Sequence, residues 1–312
     1  CKKVSVREET LLERWDENPL LRPADVAPTR PDLTVLGTLN PAAVRVGEQT
    51  LLLVRVAEAA PQEEGVVCHL YVDAETGELE VGRIPVDAPD LVRQDQRVWY
   101  YRGVLLPTSL SHLRLARSGP DGRTFTFDPQ PALFPAGPAE SYGCEDARVT
   151  FLDGRYWITY TAVSPQGVAV ALASTADWRS FERHGLIFPP TNKDVCVFPE
   201  QVGGQYVARH RPYRSDDEPA SIWTARSPDL LCWGRHVVTL GPVTGTWQGR
   251  RVGAGPPPVR TDAGWLDLYH ASDARGRYGL GAMLSDLDQP ERVIARGPRP
   301  VLEPEADYER SG

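Results

Sequence analysis

The chain has 312 residues, a formal net charge of -8 at pH 7 and 41% hydrophobic residues. This length is sufficient for a large buried core, and the negative charge argues against a nucleic-acid backbone as the main partner. No run of apolar residues approaches the roughly 18 needed to cross a bilayer, so no membrane partner is expected. These features predict a soluble globular protein.

The five cysteines form neither a C-x-x-C pair nor a zinc-type spacing; they are Cys1, Cys68, Cys144, Cys196 and Cys232. We therefore expect reduced thiols and a cytoplasmic location. Histidine and acidic residues are scattered along the chain, which predicts no metal site and no bound cofactor.

The N-terminal part of the chain predicts one strand followed by an insertion. Residues 1–30 are rich in Arg, Glu and Pro and are expected to be irregular. Residues 51–56 predict a strong strand. Residues 57–101 do not fit the pattern of the rest of the chain, and they contain their own hairpin signal at 73–78. We interpret residues 57–101 as an insertion into the first repeated unit.

A short motif that contains Asp recurs down the rest of the chain at intervals of 56, 52 and 57 residues. Its copies end at Asp121, Asp177, Asp229 and, in a weaker form, Asp286. Between the copies, a Gly-led turn is followed by an alternating strand that begins at Gly154, Gly204 or Gly264. A fixed period near 50 residues in strand-like segments predicts a β-propeller with one blade per repeat.

The first polar segment is 143–148, which precedes a predicted hairpin over 149–170. Glu145 and Asp146 are adjacent carboxylates close to Arg148, an arrangement that suits an acid held by a cation. Because successive side chains of a strand alternate in direction, only one of the two carboxylates is expected to face the centre. A salt-bridged turn without a catalytic role explains these residues equally well.

Lys193 is the one lysine outside the N-terminal pair Lys2 and Lys3. A compact ammonium group suits an oxyanion such as phosphate, although a surface lysine would look the same in sequence.

The segment 209–212 places Arg209, His210 and Arg211 together. Arg forks match phosphate oxygens well, but surface ion pairs would use the same residues. Alternation predicts that Arg209 and Arg211 share one face of the strand and that His210 occupies the other.

A rigid Gly/Pro loop follows Arg250 and Arg251 over residues 251–258. Such a loop cannot be a helix or a central strand, and it can either line a site or turn a corner. His270 ends the next strand, where an isolated His is more often packed in a core.

Taken together, these segments resemble glycoside hydrolase family 130, which comprises inverting β-mannoside phosphorylases and β-1,2-mannosidases. The resemblance extends over residues 37–309. It rests on Asn40-Pro41, Arg55, Glu145-Asp146-x-Arg148, Asn192-Lys193-Asp194, Phe198-Pro199-Glu200, His210-Arg211-Pro212, Gly253-x-Gly255-x-Pro257-Pro258 and Tyr269-His270. The stretch 108–114 is similar to the branch that acts on β-1,2-mannobiose and β-1,2-oligomannans.

The resemblance implies an all-β fold, a five-bladed β-propeller, formed by residues 1–312 as one domain with the last blade incomplete. It implies that Asp146 is the proton donor, acting through the 3-hydroxyl group of the mannosyl unit. The substrate-binding residues it implies are Asn40, Arg55, Glu145, Arg148, Asp194, Tyr269 and Asp273. The phosphate-binding residues it implies are Lys193, His210, Arg211, Arg251 and His270.

The expected reaction is phosphorolysis of β-1,2-linked mannosides to α-mannose 1-phosphate and a shortened acceptor. The expected partners are a β-mannoside oligosaccharide and inorganic phosphate as co-substrate, with homo-oligomer formation left open. Phosphate is already an anion and needs no general base, whereas a hydrolase needs a second carboxylate to activate water. A mannosidase, with Glu200 as the candidate base, and a non-catalytic glycan-binding propeller are the alternatives.

Overall fold

The computed structural model describes residue 12 and residues 14–95, 97–213 and 218–310, and these are almost entirely β strands and turns. Within these ranges the helical residues are a 3-10 turn at Pro23–Asp25 and α1 (Asp307–Arg310). The all-β class is therefore confirmed. No helix in the described ranges is long and apolar enough to cross a membrane. The irregular lead-in expected over 1–30 lies partly outside the described residues.

The main strands follow one another in antiparallel groups. The first group opens with β1 (Thr34–Val46) and β2 (Gln49–Ala59). Two small sheets come next: β3 (Val66–Val72) with β4 (Leu79–Pro85), and β5 (Leu91–Arg93) with β6 (Val98–Tyr101) and β7 (Val104–Pro107). The first group is then completed by β8 (Leu110–Ser118), which pairs with β2, and β9 (Phe125–Phe127).

The other three groups are continuous in sequence. The second contains β10 (Gly143–Leu152), β11 (Arg155–Ser164), β12 (Gly167–Thr175) and β13 (Glu182–Phe188). The third contains β14 (Asn192–Val197), β15 (Tyr206–Pro212), β16 (Ile222–Ser227) and β17 (Gly234–Leu240). The fourth contains β18 (Arg251–Ala254), β19 (Val259–Thr261), β20 (Gly264–Ser272), β21 (Tyr278–Ser285) and β22 (Val293–Arg296).

The segment between β2 and β8 differs in its bounds from the expected insertion over 57–101. Because Ala57 pairs with Ser111 and Glu58 with Leu110, the chain leaves the first group only after Ala59 and returns at Leu110. The hairpin signal at 73–78 forms the turn between β3 and β4. The interpretation of residues 57–101 as an insertion into a repeated unit stays a prediction.

The recurring Asp occupies the same turn in each group, between its last two strands. Asp177 Oδ1 accepts the backbone N–H groups of Arg179 and Ser180, both at 2.9 Å. Equivalent pairs of contacts occur at Asp121, Asp229 and Asp286. Hydrogen bonds to the ionised form lower the pKa of Asp177 to about 2. The repeat seen in sequence is therefore a repeated turn.

Buried side chains pack each group against the next. Leu172 of the second group and Val197 of the third belong to one apolar cluster, and Thr150 Oγ1 donates to the Val197 carbonyl at 2.8 Å. Between the third and fourth groups, the fully buried Arg209 forms an ion pair with Asp267, with Nη2 and Oδ2 3.0 Å apart. The buried contacts hold the first strands of neighbouring groups close together, where the polar residues of the site lie.

Candidate active site

The first strands of three groups share one backbone irregularity. Asn40 in β1, Asp146 in β10 and Asp194 in β14 have positive φ values of 41°, 48° and 55°. At each of these positions the pairing with the second strand of the group shifts register. Asn and Asp adopt this left-handed conformation more readily than most residues. The bulge turns each side chain out of the regular alternation of its strand.

The bulge in β10 brings both adjacent carboxylates to the same partner, Arg55 on β2. Arg55 Nη2 lies 2.7 Å from Glu145 Oε1, and Arg55 Nη1 lies 3.1 Å from Asp146 Oδ1. The expectation that Glu145 and Asp146 point to opposite faces was therefore wrong, because regular alternation fails at a bulge. We call Arg55, Glu145 and Asp146 the carboxylate cluster.

Two further residues approach the Asp146 carboxylate. Asn40 Nδ2 donates to Oδ1 at 2.9 Å, and Lys193 Nζ lies 4.0 Å from Oδ2. Burial favours the neutral acid, but Arg55, Lys193 and Asn40 outweigh it and hold the pKa of Asp146 below its ordinary value. In the absence of ligand, Asp146 is therefore a carboxylate at neutral pH.

Arg148 holds the backbone of the bulge. Its Nε donates to the Gly255 carbonyl at 2.9 Å, and its Nη1 donates to the carbonyls of Asp146 and Ala147 at 3.2 and 3.0 Å. These bonds tie β10 to the loop after β18. The predicted contact of Arg148 with substrate stays a prediction.

A second cluster has the opposite composition. Asp194 Oδ2 lies 3.1 Å from Arg211 Nη1 and 3.1 Å from His270 Nε2. Burial opposes ionisation of Asp194, but Arg211 and His270 hold its pKa well below the ordinary value. The Asp194 and Arg211 side chains are 3% and 5% exposed, whereas that of His270 is 21% exposed. We call Asp194, Arg211 and His270 the cation cluster; Lys193 lies between it and Asp146.

The expected Gly/Pro loop over 251–258 begins as strand β18, which packs against the cation cluster through Gly253, the partner of His270. A Cβ atom on Gly253 would lie 2.3 Å from Asp194 Oδ2 and 2.4 Å from His270 Nε2, so this position requires glycine. Because residues two apart in a strand share a face, Arg251 lies on the same face of β18.

His210 does not join these cations. Its Nδ1 lies 3.1 Å from Asn192 Nδ2 and its Nε2 lies 3.0 Å from His236 Nδ1. Burial and the neighbouring His236 lower the pKa of His210 to about 3, so its ring is neutral. Its ring packs against Phe188, on the face that alternation predicted, and its role in binding phosphate stays a prediction.

Tyr269 and Asp273 also lie apart from the two clusters. Tyr269 is fully buried and donates its hydroxyl to Gln248 Oε1 at 2.7 Å, and its contact with substrate stays a prediction. Asp273 accepts the backbone N–H groups of Arg275 and Arg277 at 2.8 and 3.0 Å. It lines a cavity of about 440 Å³, and its contact with substrate stays a prediction.

Two acidic or polar residues complete this part of the molecule. Glu200, the candidate base of a hydrolase, is half-exposed and pairs with Arg260 at 3.4 Å. Ser111 Oγ accepts a hydrogen bond from Arg55 Nε at 2.9 Å; Ser111 lies in the stretch 108–114, but it was not predicted as a site residue. Within the described ranges, no three His, Cys, Asp or Glu side chains are arranged to hold a metal ion.

The chain is similar to several known proteins. A family model described as beta-1,4-mannooligosaccharide phosphorylase matches residues 97–312. The chain is 41% identical to a beta-1,2-mannobiose phosphorylase of Listeria innocua, over 96% of this chain and 85% of the relative. It is 38% identical to a 1,2-beta-oligomannan phosphorylase of Thermoanaerobacter, over 62% of this chain and 64% of the relative.

A solved structure of a Listeria innocua beta-1,2-mannobiose phosphorylase in complex with beta-1,2-mannobiose has the same fold. It superposes with a TM-score of 0.90 at 40% identity, over 96% of this chain and 86% of that chain. Together with the match of the family model, these similarities show that the chain belongs to glycoside hydrolase family 130.

Proposed function

We propose that this protein is an inverting glycoside phosphorylase that cleaves β-1,2-linked mannosides, either mannobiose or oligomannans, with inorganic phosphate. The products are α-mannose 1-phosphate and a shortened acceptor. The observation that carries the proposal is the position of Lys193, 4.0 Å from Asp146 and adjacent to the cation cluster. The names of the Listeria and Thermoanaerobacter relatives support the same reaction and linkage.

Asp146 supplies the proton, which passes through the mannosyl 3-hydroxyl group to the departing glycosidic oxygen. The bond between C1 and that oxygen breaks, and a bond between C1 and a phosphate oxygen forms on the opposite face, which inverts the anomeric configuration. Asn40 and Arg55 hold the mannosyl unit. Because Asp146 is ionised without ligand, it must gain a proton when the substrates bind. An anion beside Lys193 favours this gain, because it cancels the positive charge that stabilises the carboxylate.

Phosphate binds beside Lys193 and His270, whose side chains are 23% and 21% exposed. Arg251 contributes from the same face of β18 as Gly253. Arg211 is buried against Asp194. It therefore acts mainly through its positive charge and less through direct contact with phosphate. Phosphate and the sugar are the only small molecules that this scheme requires.

The structure offers little support for a hydrolase. An inverting hydrolase places its two carboxyl groups roughly 6.5–9.5 Å apart with a water molecule between them. Glu145 cannot serve as such a base, because it binds the same guanidinium as Asp146. Glu200 pairs with Arg260 at a half-exposed position.

The four groups of strands are, in this proposal, blades of a five-bladed β-propeller. Their shared Asp turn and the shared bulge in three first strands support a repeated blade. The polar residues would then converge at the centre, where the first strands lie. A cytoplasmic location and a homo-oligomer stay predictions.

The test is product analysis after incubation of the purified protein with β-1,2-mannobiose, with and without inorganic phosphate. Mannose 1-phosphate in the α configuration, formed only with phosphate, is the expected result. Free mannose at a rate indifferent to phosphate would identify a mannosidase. Binding of the disaccharide without turnover would identify a glycan-binding protein. Asp146→Asn serves as the inactive control.

A further inference from the structure

All three nitrogen atoms of the Arg55 guanidinium donate hydrogen bonds. Its two terminal nitrogens bind Glu145 and Asp146, and its Nε donates to Ser111 Oγ at 2.9 Å. Ser111 is the partner that carries no charge, and its side chain belongs to β8, the strand beside β2. It therefore holds the guanidinium through Nε, the one nitrogen that does not bind a carboxylate.

Ser111 is itself fixed by the strand that bears the carboxylates. It is 2% exposed and forms the single parallel bridge between β8 and β10, with Gly143 as its partner. A Cβ atom on Gly143 would lie 3.1 Å from the backbone N and O atoms of Ser111, and Gly143 has a φ of 143°. This close approach sets the distance between Ser111 and the bulge at Asp146.

We propose that Ser111 is a positioning residue whose hydroxyl orients the Arg55 guanidinium, so that one fork serves both Glu145 and Asp146. The inference rests on the proposed function for its catalytic consequence, but the geometry it describes is that of the ligand-free protein. Without this hydroxyl, Arg55 Nε loses its acceptor and the guanidinium can rotate about its last side-chain bond. The planar guanidinium can bind both carboxylates only when its plane is aligned with them.

The consequence is a change in the acidity of Asp146. Arg55 is the strongest of the charges that stabilise the Asp146 carboxylate. A displaced guanidinium stabilises the ionised form less, so the pKa of Asp146 rises in a Ser111 variant. A serine with a purely structural role would not alter the titration of a carboxylate on another strand.

The experiment follows the carboxyl carbon of Asp146 by 13C NMR across pH in protein labelled at aspartate, with Asp146→Asn to assign the signal. Ser111→Ala and Ser111→Cys are compared with wild type; the thiol is a weak acceptor and keeps the site filled should the alanine variant fail to fold. Ser118→Ala is the matched control, because Ser118 is a buried serine of the same strand, β8, whose Oγ accepts the backbone N–H of Thr50 at 2.9 Å.

We expect the Asp146 titration to move to higher pH in both Ser111 variants and to stay unchanged in Ser118→Ala. In parallel, kcat/KM for phosphorolysis is expected to fall about tenfold to a hundredfold, the size typical for a lost hydrogen bond to a charged group. Identical titrations in wild type and in a folded Ser111 variant would overturn the proposal. Because the titration needs no turnover, a shift in a protein that makes no mannose 1-phosphate would refute the proposed function and leave the positioning role intact.

Discussion

The carboxylate cluster and the cation cluster each contain an arginine at the same register position on the second strand of a group, but they have opposite compositions. Arg55 pairs across the strands with Leu39, the residue before the bulge at Asn40. Arg211 pairs with Lys193, the residue before the bulge at Asp194. In the first cluster one guanidinium serves two carboxylates. In the second, one carboxylate serves a guanidinium and an imidazole.

This difference shows how the same kind of β-bulge can support two different functions. The bulge sets the direction of a side chain. The residue types around it determine whether the cluster contains more carboxylates than cations or more cations than carboxylates. The side chain of Asp146 is 10% exposed and that of Asp194 is 3% exposed. We infer that Asp146 is available for proton transfer, whereas Asp194 organises the cations that meet phosphate.

The variant with the largest expected effect is Asp146→Asn, which removes the proton donor and leaves the cation cluster unchanged. We expect kcat to fall by roughly a thousandfold, within the range for loss of a general acid, and phosphate binding to persist. The measurement is the initial rate of mannose 1-phosphate formation. Asp177→Asn, a change at an exposed turn, is the control and should retain nearly full activity. Loss of activity in both variants would point to a defect in folding.

Gly253→Ala should damage the other cluster. Its Cβ atom would lie 2.3 Å from Asp194 Oδ2, so Asp194 and His270 must move apart. We expect the KM for phosphate to rise about tenfold to a hundredfold, a cost of overpacking of about 1–3 kcal/mol. Gly241→Ala is the matched control, because the atom nearest to its Cβ would be Ser221 Oγ at 3.6 Å. An unchanged KM for phosphate in a folded Gly253→Ala protein would show that the cation cluster does not bind phosphate.

Lys193→Ala tests the link between the clusters. We expect the KM for phosphate to rise about tenfold, the size of one lost charge-assisted contact. Lys193 lowers the pKa of Asp146, so its removal raises that pKa. Because the donor must be protonated, activity falls as pH rises through its pKa, and this fall should occur at higher pH in the variant. A shift to lower pH would contradict the assignment of Asp146 as the donor.

Tyr269→Phe should have the smallest effect. The hydroxyl bonds to Gln248 within the core, so its loss should reduce the free energy of unfolding by about 1 kcal/mol. We expect kcat/KM to stay within about threefold of wild type, as for substitutions away from the reacting groups. A large loss of kcat/KM without loss of stability would support the prediction that Tyr269 contacts substrate.

The recurring Asp turn and several residues that contact one another could be predicted from the sequence, for physical reasons that the structure makes clear. An Asp that caps a turn through two backbone N–H groups is a local feature, and local features are readable in sequence. The resemblance identified Asn40, Arg55 and Asp146, which the structure brings into contact. Alternation correctly predicted the faces of Arg209 and Arg211, which both reach β20.

What the sequence could not give depends on tertiary structure. Alternation failed at Asp146 because a bulge depends on the pairing of two strands, although the Asn or Asp at all three bulges is a signal in retrospect. His210 and Tyr269 lie within motifs of the site, but their side chains point into packed layers. Ser111 gained its contact with Arg55 only through the neighbouring strand.

The most direct test of the division between the two clusters is calorimetric titration of inorganic phosphate into wild type, Asp146→Asn and Lys193→Ala. The account predicts that Asp146→Asn binds phosphate at least as tightly as wild type, because a negative charge beside the anion has been removed. It predicts that Lys193→Ala binds phosphate about tenfold more weakly. Loss of binding in Asp146→Asn together with unchanged binding in Lys193→Ala would contradict the account.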